Sequence, residues 1–203
     1  MNKSPSASSL KMDSDTHNYS IFISLFRLIR DKYYREFIMV FNHKKAADDQ
    51  RPSWDEYFME MADTVSKRAT CDRGKSGCVI VRDKQLLVSG YVGSPMGFPH
   101  CDEVGHQMKQ VTHEDGTTTD HCMRTIHAEQ NAVCQAAKLG IAINGATIYT
   151  RMTPCRTCAM LIINCGIKRV VCERKYHAGW ESEDMFKTAG VELDYQYDEL
   201  QEY

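Results

Sequence analysis

The amino-acid sequence predicts an α/β protein in which helices cover a β-sheet. Two observations carry this prediction. Apolar segments at 77–81 and 86–91 flank a short charged turn, which is typical of a β-hairpin. From residue 126 onward, helical periodicity alternates with short strands, a pattern that gives right-handed crossovers and a helix-covered sheet. With 42% hydrophobic residues in 203, the chain can bury a sizeable core.

The N-terminal quarter is predicted to be an extension, residues 1–52, outside the folded domain. Residues 1–18 are rich in polar residues and predict a disordered tail. Residues 19–42 place apolar side chains between basic ones, which indicates an amphipathic helix lying on the protein body, a partner or a membrane surface. A third interpretation is that Met39 is the true start. Segment 43–52 is polar, ends in proline and predicts a linker.

The folded domain is predicted to span residues 53–203. Ser53 followed by Glu56 forms a capping-box pattern that starts the first helix. The hairpin comes next, followed by a long segment at 94–122 with little periodicity; loops of such length are usually functional or held by something. The later predicted elements are a helix closed by Gly140, a strand at 146–150, a helix from Cys155 closed by Gly166, a strand at 169–173, a helix near 182–189 and a strand near 191–197.

Charge and cysteine content limit the classes of function. A net charge of -2 provides no long-range positive field to gather a polyanion, so we expect no polynucleotide partner. The apolar run at 21–26 is too short to span a bilayer, which takes about 20 residues. Nine cysteines are an odd number without a recognisable secretory leader. We therefore predict reduced thiols in the cytoplasm, several of them bound to metal.

Two short motifs carry ligands typical of zinc. His127 and Glu129 open one predicted helix, and Pro154 precedes Cys155 and Cys158 at the start of the next. The two cysteines lie three positions apart, so they share a helix face and can bind one ion as thiolates. Helix N-termini favour such negative charge. Three nitrogen and sulfur ligands indicate a catalytic zinc site, because structural sites normally close with four.

The fourth coordination position defines the chemistry expected of Glu129. Zinc lowers the pKa of a bound water towards about 7, and Glu129 is well placed to take its proton. The order H-x-E and then P-C-x-x-C is the signature of zinc nucleobase deaminases, with the glutamate as general acid and base. Competing interpretations are a solvated His-Glu pair, inert buried cysteines and a redox motif. The complete set at two helix starts favours the deaminase.

Four segments around these motifs are GYVGSPMGFPHC at 90–101, DHCMRTIHAEQNA at 120–132, TPCRTCAMLIINCGIKRVV at 153–171 and KYH at 175–177. With them, the sequence over residues 53–195 resembles the deoxycytidylate deaminase family. This resemblance implies the cytidine-deaminase fold, a three-layer α/β/α arrangement with a mixed five-stranded sheet. It also implies zinc-dependent hydrolysis of dCMP to dUMP and ammonia, which supplies dUMP for thymidylate synthesis. The first two segments distinguish this family from riboflavin-pathway and tRNA adenosine deaminases.

The resemblance also implies roles in substrate binding and catalysis. Hydroxide would attack C4 of cytosine while Glu129 protonates N3 and then returns a proton to the leaving amine. Tyr176 matches a tyrosine that closes over the substrate, and Arg73 falls where relatives place an arginine near the 5′-phosphate. Val92 departs from the pattern, since the family usually has asparagine there. The departure affects the expected choice of nucleotide and leaves the chemistry unchanged.

A second, structural zinc is predicted in segment 94–122, which concentrates histidines and cysteines. By the resemblance, its ligands are Cys71, Cys101, His106 and Cys122. His100 or His121 is an alternative fourth ligand. The competing interpretation has solvent-facing histidines and buried cysteines without metal. The other cysteines are interpreted as small core residues, namely Cys78, Cys134, Cys165 and Cys172.

The resemblance implies a homo-oligomer, a hexamer in many relatives, that responds to dCTP and dTTP. Two other classes of function compete with a dCMP deaminase. One is a deaminase acting on tRNA or single-stranded DNA, which predicts a basic surface with stacking aromatics that the charge balance does not support. The other is a catalytically silent zinc module in nucleic-acid uptake or assembly, which could dispense with Glu129.

Overall fold

The computed structural model describes residues 51–112, 116–177 and 179–200, together with positions 30 and 33. The chain divides into two units between Arg51 and Pro52. The predicted tail, amphipathic helix and linker lie outside the described residues, with four exceptions. Positions 30 and 33 are helical, and Arg51 and Pro52, at the end of the predicted linker, are exposed and have no regular secondary structure. None of the helices in the described part of the chain is long and apolar enough to cross a bilayer.

The second unit contains five α-helices and seven β-strands within these residues. In chain order the elements are α1 (Trp54–Ser66), a 3-10 helix (Asp72–Gly74), β1 (Gly77–Arg82), β2 (Gln85–Tyr91), α2 (Cys101–Val104), β3 (Met108–Thr112), β4 (Thr118–Cys122), α3 (Ala128–Leu139), β5 (Thr147–Met152), α4 (Arg156–Asn164), β6 (Arg169–Arg174), α5 (Trp180–Ala189) and β7 (Glu192–Tyr195).

Five strands form the central sheet in the order β2-β1-β5-β6-β7. β1 runs antiparallel to both β2 and β5, whereas β5, β6 and β7 are parallel. Parallel neighbours need crossover connections, and α4 and α5 supply them. The predicted mixed five-stranded sheet is therefore confirmed.

Helices cover both faces of this sheet. Side chains of a strand alternate between its faces, and β1 shows the consequence. Val79 and Val81 pack in a cluster with residues of α1, while Cys78 and Ile80 pack in a second cluster with residues of α3, α4 and α5. The predicted three-layer arrangement is confirmed, with one helix on one face and three on the other.

The predicted capping box is present at the start of α1. The Ser53 hydroxyl oxygen accepts a hydrogen bond from the Glu56 amide at 3.2 Å, and the Glu56 carboxylate accepts one from the Ser53 amide at 2.7 Å. The predicted hairpin is also present, as β1 and β2 joined at Asp83 and Lys84. Both turn residues have positive φ, of 52° and 61°, as a two-residue turn between twisted strands requires.

The prediction of an irregular loop at 94–122 is wrong in part. The segment contains the short helix α2 and a separate two-stranded sheet of β3 and β4. β3 is largely exposed and β4 is partly exposed, and neither strand has a buried residue. Without a buried face, a strand lacks the alternating apolar pattern by which it is predicted from sequence.

All nine cysteines lie among the described residues and are free thiols. Cys78 and Cys172 are fully buried, as predicted, and Cys165 is partly buried. The core prediction for Cys134 is wrong, because this residue is exposed on α3. The buried face of α3 comprises Ala128, Glu129, Ala132 and Ala136. Cys134 is two positions from Ala132 and so points away from that face.

Gly90 allows α3 to lie directly on β2. A Cβ atom at this position would overlap the carbonyl oxygen of Ala128 and the amide nitrogen of Ala132. Both atoms belong to helix backbone, so a side chain at Gly90 displaces the whole N-terminal half of α3. The close approach therefore fixes where α3 begins relative to the sheet.

We expect Gly90→Ala to lower the free energy of unfolding by about 1–3 kcal/mol, the usual cost of overpacking a core. Chemical denaturation of the purified protein measures this change. Ser89→Ala is the matched control, because Ser89 is the exposed neighbour on the same strand, and its effect should stay within about 0.5 kcal/mol. Equal stability of the two variants would contradict the close packing of α3 on β2.

Candidate active site

Two helix N-termini meet beside the carboxyl ends of the central strands. His127 is the N-cap residue of α3, and Cys155 is the N-cap residue of α4, which follows β5 directly. The amide of His127 donates to the side chain of Gln130 at 2.9 Å, which anchors the start of α3. Because both helices begin here, their positive ends favour negative charge at this point.

The structure brings together the three predicted ligands of the catalytic metal. His127 Nδ1 lies 3.5 Å from Cys155 Sγ and 3.5 Å from Cys158 Sγ. The three donor atoms all lie within 4.8 Å of one another. Tetrahedral zinc with bonds of about 2.0–2.3 Å requires donors roughly 3.5 Å apart. The donor set therefore fits a zinc ion with one further coordination position.

The electrostatics of this group favour a metal-binding thiolate. A hydrogen bond from Cys158, together with His127, lowers the pKa of Cys155 to about 4. Cys158, the donor of that bond, has its pKa raised. The hydrogen bond with Cys155 raises the pKa of His127 to about 9 against the opposing effect of burial.

Glu129 lies in the first turn of α3 beside these ligands. Its side chain is 7% exposed, and one carboxylate oxygen lies 3.8 Å from Cys158 Sγ. Burial raises the pKa of Glu129, while the nearby His127 opposes the shift. Its carboxylate does not belong to the group of converging donors among the described residues. Glu129 is thus adjacent to the metal group without completing it.

A cavity of about 390 Å³ opens onto this group. Pockets for small ligands usually measure about 300–1,000 Å³, so the space suits a mononucleotide. Glu129, His127 and Cys155 line one part of the wall, and Arg73 and Tyr176 line other parts. The structure therefore places both predicted substrate residues on the same cavity as the predicted catalytic carboxylate.

A second group of four donors borders the same cavity. Cys71 Sγ lies 3.6 Å from His106 Nδ1, and Cys101 Sγ lies 3.6 Å from Cys122 Sγ. All four donor atoms lie within 4.8 Å of one another. Both Cys71 and Cys122 also line the cavity. Four nitrogen and sulfur donors in this arrangement fit a closed structural zinc site.

The other ring nitrogen of His106 supports this assignment of donors. His106 Nε2 lies 2.9 Å from a carboxylate oxygen of Asp72. Metal-binding histidines almost always pair their second nitrogen with a carboxylate or carbonyl, which fixes the ring and its tautomer. The two alternative fourth ligands lie outside this group of donors. His121 Nε2 instead lies 2.7 Å from the Thr119 hydroxyl.

The thiols of this second group differ in acidity. Burial and the neighbouring thiols raise the pKa of Cys101 to about 12. Burial also acts to raise the pKa of Cys122, but hydrogen bonds from the Arg124 and Gln107 backbones lower it to about 6. Cys122 is therefore the thiol of this group that most readily supplies a thiolate.

A family model of the cytidine and deoxycytidylate deaminase zinc-binding region matches residues 52–174. The chain belongs to this family. The match covers both sets of converging donors, Glu129 and Arg73, and ends just before Tyr176. The family predicted from the sequence is confirmed.

Individual relatives extend this finding. ComE operon protein 2 of Bacillus subtilis (strain 168) is 39% identical over 71% of the chain and 72% of its own length. The deoxycytidylate deaminase of Schizosaccharomyces pombe is 38% identical over 70% of the chain, which spans only 44% of that enzyme. The deoxycytidylate deaminase of Mycobacterium phage D29 is 35% identical over 60% of the chain and 94% of its own length.

A solved structure with similar architecture is the dCMP deaminase of cyanophage S-TIM5 in complex with dCMP and dUMP. It is 30% identical, superposes with a TM-score of 0.58, and matches 72% of the chain and 99% of the phage protein. The similarity therefore covers nearly the whole of the phage deaminase and about three quarters of the present chain.

Several residues on the cavity wall of this deaminase escaped the sequence predictions. They include Thr153 and His177. His121, which the sequence offers as an alternative metal ligand, and Val92 also line the cavity. His177 follows Tyr176 directly, and the two rings lie 4.3 Å apart between centroids. His177 belongs to the KYH segment at 175–177, and that was the sequence feature from which it could have been predicted to line the site. Thr153 precedes the Pro-Cys motif and is 3% exposed, but a buried threonine has no distinctive pattern in a sequence.

Proposed function

We propose that this chain catalyses the hydrolytic, zinc-dependent deamination of dCMP to dUMP and ammonia. One observation carries the proposal. A nucleotide-sized cavity is lined at once by two donors of an open three-ligand metal group, a buried carboxylate and an arginine. The relatives named deoxycytidylate deaminase, and the phage structure that holds dCMP and dUMP, support the choice of nucleotide.

In this proposal His127, Cys155 and Cys158 hold the catalytic zinc. A zinc ion held there would lower the pKa of water and so supply hydroxide at neutral pH. Glu129 takes the first proton from the water and donates it to N3 of the cytosine ring. It then takes the second proton, from the hydroxyl group added at C4, and donates it to the departing amine. One water is consumed, the bond from C4 to the amine breaks, and ammonia leaves. The buried position of Glu129 keeps competing solvent away from this transfer.

A second zinc, bound by Cys71, Cys101, His106 and Cys122, is proposed to be structural. Four converging donors leave no position open, and the contact between His106 and Asp72 is typical of a metal-binding histidine. The ion would join the segment before β1 to α2, β4 and the turn before β3. This assignment gives two zinc ions per chain.

Arg73 and Tyr176 are proposed to bind the nucleotide. Arg73 lies two residues after Cys71 and donates from Nη2 to the carbonyl oxygen of Asp120 at 3.1 Å. That bond uses only part of a guanidinium that has five donors, and the planar fork suits a phosphate. Val92 offers an apolar surface to the same cavity. The resemblance predicts asparagine at this position, so this wall of the cavity makes fewer polar contacts with a nucleotide.

We also propose that residues 53–203 form the deaminase domain and residues 1–52 an extension. The family match from residue 52 and the division between Arg51 and Pro52 support this boundary. A homo-oligomer, regulation by dCTP and dTTP, and a cytoplasmic location remain predictions. The first two rest on the family resemblance, and the third rests on the cysteine content.

The proposed function is tested by assaying the zinc-loaded protein against dCMP, dCTP, deoxycytidine and single-stranded DNA. Loss of the cytosine absorbance and release of ammonia report deamination. We expect dCMP to have the highest kcat/KM. Preference for single-stranded DNA would identify a nucleic-acid deaminase, and no turnover with zinc fully bound would identify a catalytically silent module. Either result would reject the proposal.

Replacing Arg73 is expected to affect binding of the phosphate group selectively. Arg73→Ala should raise KM for dCMP by about 10–100-fold, since hydrogen bonds to charged groups contribute roughly 1.5–3 kcal/mol. Turnover of deoxycytidine, which has no phosphate, should change little. Arg68→Ala is the control, because Arg68 is an exposed arginine five positions earlier. An equal loss with dCMP and deoxycytidine would indicate that Arg73 acts only on the structure.

A further inference from the structure

A series of hydrogen bonds runs from the cavity wall to residues of β7 and α5. The amide of Tyr176 donates to the hydroxyl oxygen of Thr153 at 3.1 Å. This hydroxyl lies 3.1 Å from the phenol oxygen of Tyr195, which donates to a carboxylate oxygen of Glu183 at 2.8 Å. Four residues on four segments are thus joined in series.

The group at each end of this hydrogen-bonded series determines the direction of every bond between them. A backbone amide only donates, and an ionised carboxylate only accepts. The single phenol proton of Tyr195 goes to Glu183, so the Thr153 hydroxyl must donate to Tyr195. That leaves the Thr153 oxygen free to accept from the Tyr176 amide. Burial and then Glu183 raise the pKa of Tyr195, so the phenol keeps its proton at neutral pH.

Close packing holds the same segment from a second direction. The amide of Gly179 donates to the carbonyl oxygen of Tyr176 at 2.9 Å. A Cβ atom on Gly179 would lie 2.9 Å from the Thr153 side chain and 3.0 Å from the Tyr176 carbonyl oxygen. Thr153 is itself 3% exposed. Tyr176 and Gly179 therefore both lie directly against the Thr153 side chain, which limits where the Tyr176 backbone can sit.

The two ends of this hydrogen-bonded series have different surroundings. Tyr176, His177 and Thr153 line the cavity, whereas Glu183 and Tyr195 are absent from the described residues on its wall. Glu183 lies on α5, and Tyr195 is the last residue of β7. The parallel order of β5, β6 and β7 brings these residues together at the carboxyl edge of the sheet. The side-chain hydrogen bonds that link Glu183 and Tyr195 to the cavity wall run through Thr153. The Tyr195 ring also lies 5.3 Å from Nζ of Lys175, the residue before Tyr176, and Tyr195→Phe keeps that ring contact.

We infer that Glu183 and Tyr195 are positioning residues that hold Tyr176 and His177 against the substrate cavity through the Thr153 hydroxyl. This role rests on the proposed use of the cavity for dCMP. Without the phenol, the Thr153 hydroxyl turns to another acceptor, and the Tyr176 amide loses a well-oriented partner. The two rings then occupy several positions over the cavity, and binding of the substrate weakens.

Two measurements on zinc-loaded, full-length Tyr195→Phe test the inference. Hydrogen exchange of the Tyr176 amide, measured without substrate, should accelerate about tenfold relative to the parent protein. KM for dCMP should rise about five- to tenfold, the effect of losing one hydrogen bond, with kcat changed less than about twofold. Tyr197→Phe is the matched control, since Tyr197 is 53% exposed and lies two residues away. It should match the parent protein in both measurements.

Variants of Glu183 separate positioning from a general loss of folding. Glu183→Gln keeps an acceptor oxygen for the Tyr195 phenol and should behave nearly as the parent does. Glu183→Ala removes the acceptor and should reproduce the effect of Tyr195→Phe. The double variant Glu183→Ala/Tyr195→Phe should lose no more than either single variant, because both break the same chain.

The inference is overturned if Tyr176 exchange in Tyr195→Phe equals that of the parent, or if Glu183→Gln and Glu183→Ala are equally impaired. It is also overturned if the double variant shows additive losses. Absence of dCMP turnover in the parent protein would reject the proposed function instead. The exchange rates of the Tyr176 amide would still decide whether Tyr195 and Glu183 hold this segment.

Discussion

Replacing Glu129 by glutamine is expected to lower kcat for dCMP by about 10²–10⁴-fold, the usual contribution of general acid and base catalysis. Glutamine has nearly the same shape and keeps a hydrogen-bonding oxygen beside Cys158, but it cannot accept and return a proton. The variant should therefore fold normally, and the loss should appear in kcat more than in KM. Steady-state kinetics with dCMP measures both constants.

Metal content distinguishes proton transfer from metal binding. Glu129 lies outside the group formed by His127, Cys155 and Cys158, so Glu129→Gln should retain as much zinc as the parent protein. Elemental analysis after dialysis measures this. Glu60→Gln is the matched control, because Glu60 is exposed on α1, and its kinetics should match those of the parent. Full activity of zinc-loaded Glu129→Gln would refute the mechanism, and loss of zinc would make Glu129 a ligand.

The catalytic centre was predictable from sequence because its determinants are local. His127 and Glu129 are two positions apart, Cys155 and Cys158 are three apart, and each pair sits at a helix start. Helix geometry alone brings such pairs onto one face. The only further requirement is that the fold brings the two helix N-termini together. The alternation of strands and helices already implies a sheet covered by helices.

The contacts that the sequence did not reveal join distant positions through side chains that form no pattern within their own segments. The bond between Thr153 and Tyr195 spans 42 positions, and it depends on the parallel order of β5, β6 and β7. Gly90 carries no signal beyond being a glycine, although its lack of a side chain sets the position of α3. These features follow from tertiary packing, which no periodicity within one segment encodes.

The second group of donors was predictable in composition but not in its surroundings. The concentration of histidines and cysteines at 94–122 indicated a metal, whereas the β3 and β4 pairing around it left no apolar pattern. A segment with so little buried apolar surface needs another source of stability. The four converging donors supply a physical reason for its order, since metal binding couples directly to folding.

The double variant Cys101→Ser/Cys122→Ser is therefore expected to lose one zinc, falling from about two ions per chain to about one. Structural zinc sites contribute on the order of 10 kcal/mol or more to the folding of small metal-dependent domains. Here the loss should be local, because most residues of the two apolar clusters lie on the five-stranded sheet and its helices, although Cys71 and Cys101 also pack in the first cluster. Limited proteolysis should cut within 94–122, while the sheet still unfolds cooperatively.

Substrate binding should also weaken in this variant, because the same donors form part of the cavity. Cys71 precedes Arg73 by two residues, and the carbonyl oxygen to which Arg73 donates belongs to Asp120, two residues before Cys122. When the metal no longer joins these two segments, the Arg73 guanidinium loses its fixed position. We expect KM for dCMP to rise by about tenfold or more, comparable to loss of Arg73 itself.

Cys134→Ser/Cys165→Ser is the matched control, since it removes two thiols that lie outside both groups of donors. It should keep two zinc ions, resist proteolysis at 94–122 and bind dCMP normally. If the parent protein binds only one zinc ion, the proposed second site does not exist. Two zinc ions retained by Cys101→Ser/Cys122→Ser would mean that other residues hold the ion. If the double variant loses one zinc but keeps the KM of the parent protein, the second metal does not affect substrate binding. Arg73 would then keep its position even when no metal joins Cys71 and Cys122.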